Sequence, residues 1–397
     1  MSTSISKALT TYNFPTKIRF GPGARGELVE TLKALNVQRP LIVTDRDVAK
    51  LPWFSQIEAS LSVLSAQTFS GVWGNPVVSQ VGAGAAQYAA SEADGIVAVG
   101  GGAPMDVAKA IALMAHHPGH LFDYEDGAST RPIDQRIPPI VAIPTTAGTG
   151  SEVGRSAVIS DDETHAKKIV FDPQLLPKVV LADPELLLGL PAKITAATGM
   201  DALTHLIEAF LAKGNHPLCD GIALEGIYLV SQHLKNSVEF AQQLAAKEPV
   251  DESAHLKARA GMLNASMMGA IAFQKGLGVT HSCAHALSTV CNTHHGLANG
   301  VMLPAALRFN LDAEPEKFLR MARVVNPAAT NGDALIDWVV ALSESVGIPP
   351  TLDALGISAK TVDQLVVVAI EDACHPFNPK PVTKKDFYDI YYDTLAA

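Results

Sequence analysis

Charge is scarce in this sequence. Lys, Arg, Asp and Glu make up 18% of its 397 residues, and the 40 acids outnumber the 30 bases. A net charge of −10 removes the electrostatic footprint of a protein whose main partner is nucleic acid or an anionic membrane. Cysteine is scarce as well. Cys219, Cys283, Cys291 and Cys374 form no CxxC pair and no dense framework, which fits a reducing compartment. Apolar stretches are broken by Asp, Lys, Gly or Pro before the ~20 residues that a membrane span needs. The start, MSTSISKALTTYNF, carries no apolar core of signal-peptide length. These absences give the expectation of a cytoplasmic protein. The 48% apolar content excludes a mainly disordered chain, and the length exceeds what one core of ~250–300 residues accommodates, so two domains are expected.

The first half alternates β-rich runs with helical patterns. LIVTD (41–45) and GIVAVGGG (95–102) read as buried strands, SVLSAQTFSG (62–71) leads into the turn Gly74-Asn75-Pro76, and PIVAIPTTAGTGSE (139–152) reads as a strand ending in a Thr/Gly loop. Helical patterns cover 77–91 and 104–115. Continuous apolar strands separated by helices predict a parallel sheet covered on both faces. Beyond a boundary at about 188–192, around GLPAK, the periodicity is helical only, with long segments at 216–246, 251–273, 313–325, 332–346 and 360–373. The expected organisation is an α/β domain over 1–190 and an all-α domain over 191–397.

Two loops in the first half suit a nucleotide. Glycines after the 95–100 strand let backbone approach a phosphate, and the helix that follows offers free N–H groups, although the spacing at this turn is not GxGxxG. The Thr/Gly loop brings hydroxyls from Thr145, Thr146 and Thr149, and ligands of open α/β sheets bind beyond the carboxyl ends of strands. Asp45, at the end of LIVTD, is placed to accept ribose hydroxyls and to repel a 2′-phosphate, which favours NAD over NADP.

The second half carries a different signal. GMDALTHLIEAF (199–210) puts Asp201 and His205 on one helix face, one turn apart, among apolar residues. A second segment, HSCAHALSTVCNTHHGLANG, holds His281, His285, His294 and His295. Buried aspartate is rare without a partner, so an Asp/His set of this kind points to a divalent cation such as Fe²⁺ or Zn²⁺. Cys283 and Cys291 lie in the same segment, and spacing alone leaves a thiolate ligand open.

FGPGA (20–24), GNP, GGGAPMDVAK, PTTAGTGSE, ATGMDALTHLIEA, the His281–Gly296 segment, NGVMLP (299–304) and DACHPFNP (372–379) occur in one order along almost the whole chain. In this the sequence resembles the iron-containing (group III) alcohol dehydrogenases. The resemblance implies a Rossmann-like N-terminal domain, a helical C-terminal domain of dehydroquinate synthase-like architecture, and an active site in the cleft between them. By motif position it implies the metal ligands Asp201, His205, His281 and His295, with His285 unligated as a proton-transfer residue and His294 a neighbour without a role. It implies NAD contacts at Asp45, Asn75, Gly101, Gly102, Asp106, Thr145, Thr146, Thr149 and Lys167. The family's Ser after the three glycines is Ala103 here, which removes one hydroxyl contact worth ~1 kcal/mol.

The activity so implied is reversible hydride transfer between NAD and a small primary or secondary alcohol, assisted by Fe²⁺ or, as the alternative metal, Zn²⁺, in a homodimer or larger homo-oligomer. Arg155 and Lys275 flank the motifs and raise a hydroxy acid such as 4-hydroxybutyrate as substrate, against the simpler reading of a structural ion pair and a helix-end cation. A metal- and NAD-dependent lyase or cyclase on the same scaffold, and a non-catalytic oligomerising protein with a vestigial site, are the competing classes.

Overall fold

The computed structural model describes residues 13–395. In chain order the first part runs β1 (Lys17–Phe20), α1 (Leu28–Ala34), β2 (Pro40–Asp45), α2 (Pro52–Ser60), β3 (Gln67–Val72), α3 (Val78–Ala90), β4 (Gly95–Gly100), α4 (Gly102–Met114) and β5 (Ile140–Pro144). An antiparallel hairpin follows, β6 (Ser156–Ser160) and β7 (Lys167–Phe171), and then β8 (Val179–Ala182). Six strands form one parallel sheet in the order β1-β8-β5-β4-β2-β3. Every residue of β4, β5 and β8 is buried, which is why these strands are written in near-continuous Val, Ile, Leu and Ala. β2 and β4 are neighbours in space but open two opposite directions of strand progression, so the carboxyl ends of these two strands mark the switch point.

The remaining elements are helical: α5 (Ala192–Leu211), α6 (Pro217–Ala245), α7 (Glu252–Ala272), α8 (Val279–Cys291), α9 (His295–Asn310), α10 (Pro315–Val325), α11 (Asp333–Ser345), α12 (Val362–Ile370) and α13 (Lys384–Asp393). Among the described residues no strand follows Ala182, and no helix is long and apolar enough to cross a membrane. The expected pairing of a parallel α/β part with an all-α part is therefore the observed fold.

By compactness the chain forms an α/β unit, Pro15–Pro191 with Phe240–Leu263, and a helical unit, Ala192–Glu239 with the residues from Asn264 onward. A buried polar contact joins the 240–263 stretch to the end of the α/β segment. Arg259, 1% exposed, donates to the carbonyl of Leu190 at 3.0 Å and to His255 Nε2 at 3.0 Å. Burial pushes this guanidinium down to about 10, and burial together with Arg259 pushes His255 down to about 4.

The turn after β1 also departs from a simple reading. Gly21, Gly23 and Gly26 do have GxGxxG spacing, between a strand and a helix. Their surroundings are not those of a phosphate site, because the buried carboxylate of Asp183 already accepts from Gly23 N (3.1 Å), Arg25 N (3.3 Å) and the Arg25 guanidinium (2.5 Å). The same carboxylate caps the turn after β8 through Glu185 N at 3.1 Å. Asp183 thus ties the first and last strands of the sheet together; its removal leaves the Gly23 and Arg25 amides without their acceptor and Arg25 with Glu185 as its one remaining acid. We expect Asp183→Ala to lower stability by about 3 kcal/mol or more in urea unfolding, the range for breaking a buried pair. A loss below about 1 kcal/mol, the worth of an exposed pair, would show that this clasp is dispensable.

Candidate active site

Four side chains of the helical unit converge. α5 supplies Asp201 and His205, α8 supplies His281, and His295 is the first residue of α9. One ligand atom from each lies within 4.8 Å of all the others. The His205 and His281 rings stack with centroids 4.6 Å apart, and His295 sits 5.5 Å from His281. Close approach of α9 to α5 depends on Gly296, where a Cβ would fall 2.3 Å from the Ala197 carbonyl oxygen and 3.1 Å from Asp201 Cβ.

Glu208 completes this arrangement, and no feature of the sequence assigned it a role. It lies on the stripe of α5 that carries Asp201 and His205, and it is buried. It accepts from the amides of Gly278 (2.8 Å) and Thr280 (2.7 Å) at the start of α8, and from His281 Nδ1 at 2.7 Å. Burial alone would raise its carboxyl, but the hydrogen bond and charge of His281 and the α8 donors outweigh that and hold it below its ordinary value. A carboxylate on Nδ1 fixes the imidazole tautomer and leaves the lone pair on Nε2. That Nε2 is buried and has no hydrogen-bond partner among the described residues. Asn299 performs a similar service, since its Nδ2 donates to Asp201 Oδ1 at 2.7 Å and lies 3.2 Å from His295 Nε2. Three imidazoles and one carboxylate, with a buried lone pair directed into the group, fit a borderline divalent cation. The thiol alternative fails on position: neither Cys283 nor Cys291 belongs to the group, and burial pushes both thiols up.

His285 stands beside these residues without joining them. Its ring stacks on His295 at 5.1 Å, and its Nδ1 is hydrogen-bonded to Asp372 at 2.7 Å. Burial acts to raise the Asp372 carboxyl, but His285, Ser282 and the Cys374 amide prevail and hold it well below the usual carboxylate range. His294 is exposed and outside the group. Lys275 is not a surface cation. It is buried, donating to Asp220 at 2.6 Å and to the Phe210 carbonyl at 3.0 Å. Arg155 lies over the Phe171 ring at 5.2 Å.

In the α/β unit the glycine turn and the threonine loop lie side by side, because β4 and β5 are paired in parallel and end together. Thr145 N donates to the Gly100 carbonyl at 3.0 Å. A Cβ on Gly101 would meet Thr146 Oγ1 at 3.0 Å, and one on Gly102 would meet Thr149 Cγ2 at 2.7 Å. Gly100, with φ of 146°, adopts backbone that favours glycine. Asp45 uses Oδ1 to accept from Asp47 N and Val48 N, and its Oδ2 lies toward Gly100. Asn75 follows β3 and is half-buried, and Lys167 begins β7.

Asp106 differs from a simple cofactor contact: its oxygens accept from Ser151 Oγ (2.6 Å) and Val158 N (3.1 Å). With Lys109, which donates to Ser151 and to the Ser156 carbonyl, it clamps the threonine loop and β6 to α4. Burial pushes Asp106 up and Lys109 down, each partly restored by the other's charge. Nearby Glu152 is buried, and burial pushes it up to about 7 against the pull of its own amide and of Lys109.

Two outcomes follow from these positions. Glu208→Ala is expected to weaken binding of Zn²⁺ or Fe²⁺ by ~10–100-fold in a calorimetric titration, the usual cost of losing the carboxylate behind a ligating His. An unchanged affinity would remove Glu208 from the account. Glu152 keeps its proton in the folded chain to about pH 7 but releases it near its ordinary value of 4.5 when unfolded. Its contribution to stability is therefore present at low pH and declines as pH rises between those values. Glu152→Gln is expected to flatten this decline in thermal melts across that window.

Comparison with known proteins gives a consistent answer for both parts. The profile of the family described as iron-containing alcohol dehydrogenase matches residues 15–184, and that of its C-terminal part matches residues 195–395. The chain is 38% identical over 384 residues to 4-hydroxybutyrate dehydrogenase of Cupriavidus necator, covering 94% of this chain and 96% of that protein. It is 33% identical over 381 residues to lactaldehyde reductase of Escherichia coli K12, with coverage of 94% and 96%. Among solved structures, 1,3-propanediol oxidoreductase superposes with a TM-score of 0.90 at 33% identity, covering 98% of this chain and all of that one. Sulfoacetaldehyde reductase of Bifidobacterium kashiwanohense, solved with NAD⁺, gives 0.87 at 29% identity, with 98% and 99% coverage. The chain belongs to the iron-containing alcohol dehydrogenase family, and its chemistry is that of an alcohol-type oxidoreductase.

Proposed function

We propose that this protein is a metal-dependent, NAD-linked dehydrogenase of small primary or secondary alcohols. The observation that carries the reading is the buried His281 Nε2, held toward Asp201, His205 and His295 by the Glu208 hydrogen bond on the opposite ring nitrogen. A divalent cation held there supplies Lewis acidity, which lowers the pKa of an alcohol hydroxyl toward neutrality. Fe²⁺ is the first choice by family and Zn²⁺ the alternative, since the donor set accepts both.

The chain's own residues divide the remaining work. Asp201, His205, His281 and His295 hold the ion, and Asn299 and Glu208 orient them. His285, half-buried and fixed at Nδ1 by Asp372, keeps Nε2 for taking the hydroxyl proton and returning it in the reverse direction. Gly101, Gly102 and the α4 N-terminus offer backbone donors to a pyrophosphate, and no side chain caps that terminus, so Ala103 costs one hydroxyl contact without closing the site. The Asp45 carboxylate favours NAD by accepting ribose hydroxyls. Hydride transfer needs the carbinol carbon within about 3–3.5 Å of the nicotinamide.

For the substrate, 4-hydroxybutyrate is supported by the 38% identical relative from Cupriavidus necator. Lys275 gives that choice no support, because Asp220 and the Phe210 carbonyl already engage it. The deciding experiment follows NADH absorbance across neutral alcohols and hydroxy acids, using metal-free protein reconstituted with Fe²⁺ or Zn²⁺. Net NADH formation that needs the metal is expected, whereas a lyase would accumulate none. In the same assay His285→Ala is expected to lower kcat by ~10²–10⁴-fold, the range for a general acid–base group. Turnover that survives both metal removal and His281→Ala would overturn the proposal.

A further inference from the structure

Outside the four-residue group, a second set of donor atoms comes together in the helical unit. His285 of α8, Asp372 and Cys374 each offer one ligand atom, all within 4.8 Å of one another. The three side chains come from two segments that are locked in place. Asp372 Oδ1 accepts from Ser282 Oγ at 2.7 Å and from the Cys374 amide at 2.9 Å, and Ser282 Oγ in turn accepts from His375 N at 2.9 Å. The turn that carries Asp372 and Cys374 is thereby bolted to the helix that carries His285. All three residues are half-buried, so an ion has a way in and a place for a water as fourth ligand.

We propose that His285, Asp372 and Cys374 form an auxiliary site for a thiophilic divalent cation such as Zn²⁺ or Cd²⁺, and that its occupation arrests turnover. Tetrahedral zinc with nitrogen, oxygen and sulfur ligands sets its donor atoms roughly 3.3–3.7 Å apart, so the present spacing requires only side-chain adjustment. The sulfur is what separates this set from its neighbour. Asp201, His205, His281 and His295 include no thiol, whereas a thiolate selects softer ions.

Binding is a proton exchange with no change of oxidation state. The Cys374 thiol loses its proton to solvent and its sulfur binds the ion. His285 moves its proton from Nδ1 to Nε2, and the freed Nδ1 lone pair binds. Asp372 exchanges the imidazole donor for the cation. With Nε2 then a donor, His285 has no lone pair for a hydroxyl proton, so inhibition follows. This last step rests on the role proposed for His285, while the binding itself does not.

The test uses full-length protein carrying one equivalent of Fe²⁺. Cd²⁺ is added stepwise, with bound equivalents measured by equilibrium dialysis and the thiolate-to-cadmium charge-transfer band followed in the ultraviolet. Wild type is expected to take one further equivalent with growth of the band and parallel loss of turnover. Cys374→Ser is expected to lose the band and to bind that equivalent more weakly by roughly tenfold or more, since even changes behind the ligands cost 10–100-fold. Asp372→Asn is expected to keep the band at higher Cd²⁺. An undiminished band in Cys374→Ser, or no second equivalent in wild type, would overturn the site. A second equivalent lost with Cys374→Ser in a protein without dehydrogenase activity would uphold the site while removing the proposed function.

Discussion

The convergent group of the helical unit is organised by a single carboxylate out of water, that of Glu208. Glu208 accepts two amides from the first turn of α8, where a helix has N–H groups without intrahelical partners and the positive end of its dipole. The same carboxylate grips His281 Nδ1. One side chain therefore helps to hold the start of α8, together with Asn378, which accepts from Val279 N, and fixes the tautomer of His281, leaving its Nε2 lone pair toward the group. α5 then contributes to the centre three times, since Asp201, His205 and Glu208 recur at helical spacing on one stripe. Removing Glu208 would leave buried amides and an unoriented ring, a loss of structure as well as of affinity.

His285 follows the same logic at the margin of the site. Asp372 stands behind it as Glu208 stands behind His281. The two histidines differ in setting more than in chemistry, for the His281 side chain is fully buried among the four converging residues, whereas the His285 side chain is half-buried and belongs to none of them. A ring with access to solvent is suited to exchanging protons.

The parts legible in the sequence are those written with local periodicity. Asp201 and His205 share a face at a spacing of four, and the buried β4 and β5 show as apolar runs. Glu208 falls on the same stripe, but its pairing with His281, 73 residues away, is not legible, nor is the pairing of Asp372 with His285 across 87 residues, because both contacts depend on how separate segments pack. The short strands β1, β6, β7 and β8 escaped for a different reason. Each spans only four or five residues; β1, β6 and β7 carry a mixed pattern such as KIRF, β8 is apolar but four residues long, and pairing with strand neighbours defines all four more than propensity does. Lys275 shows the limit of reading charges by their neighbours in sequence: its partner Asp220 comes from a helix 55 residues earlier. Asp106 shows the same for motifs, since it lies in the glycine motif but its bonds go to Ser151 and Val158, holding the threonine loop and β6 to α4.

Gly296 carries a consequence for any attempt to redesign the centre. The gap between the two helices there is set by main chain meeting main chain, with no room for a methyl group. A side chain at position 296 would drive α9 away from α5, and with it His295 away from Asp201, so the spacing of the convergent group rests on a residue that contributes no atom to it.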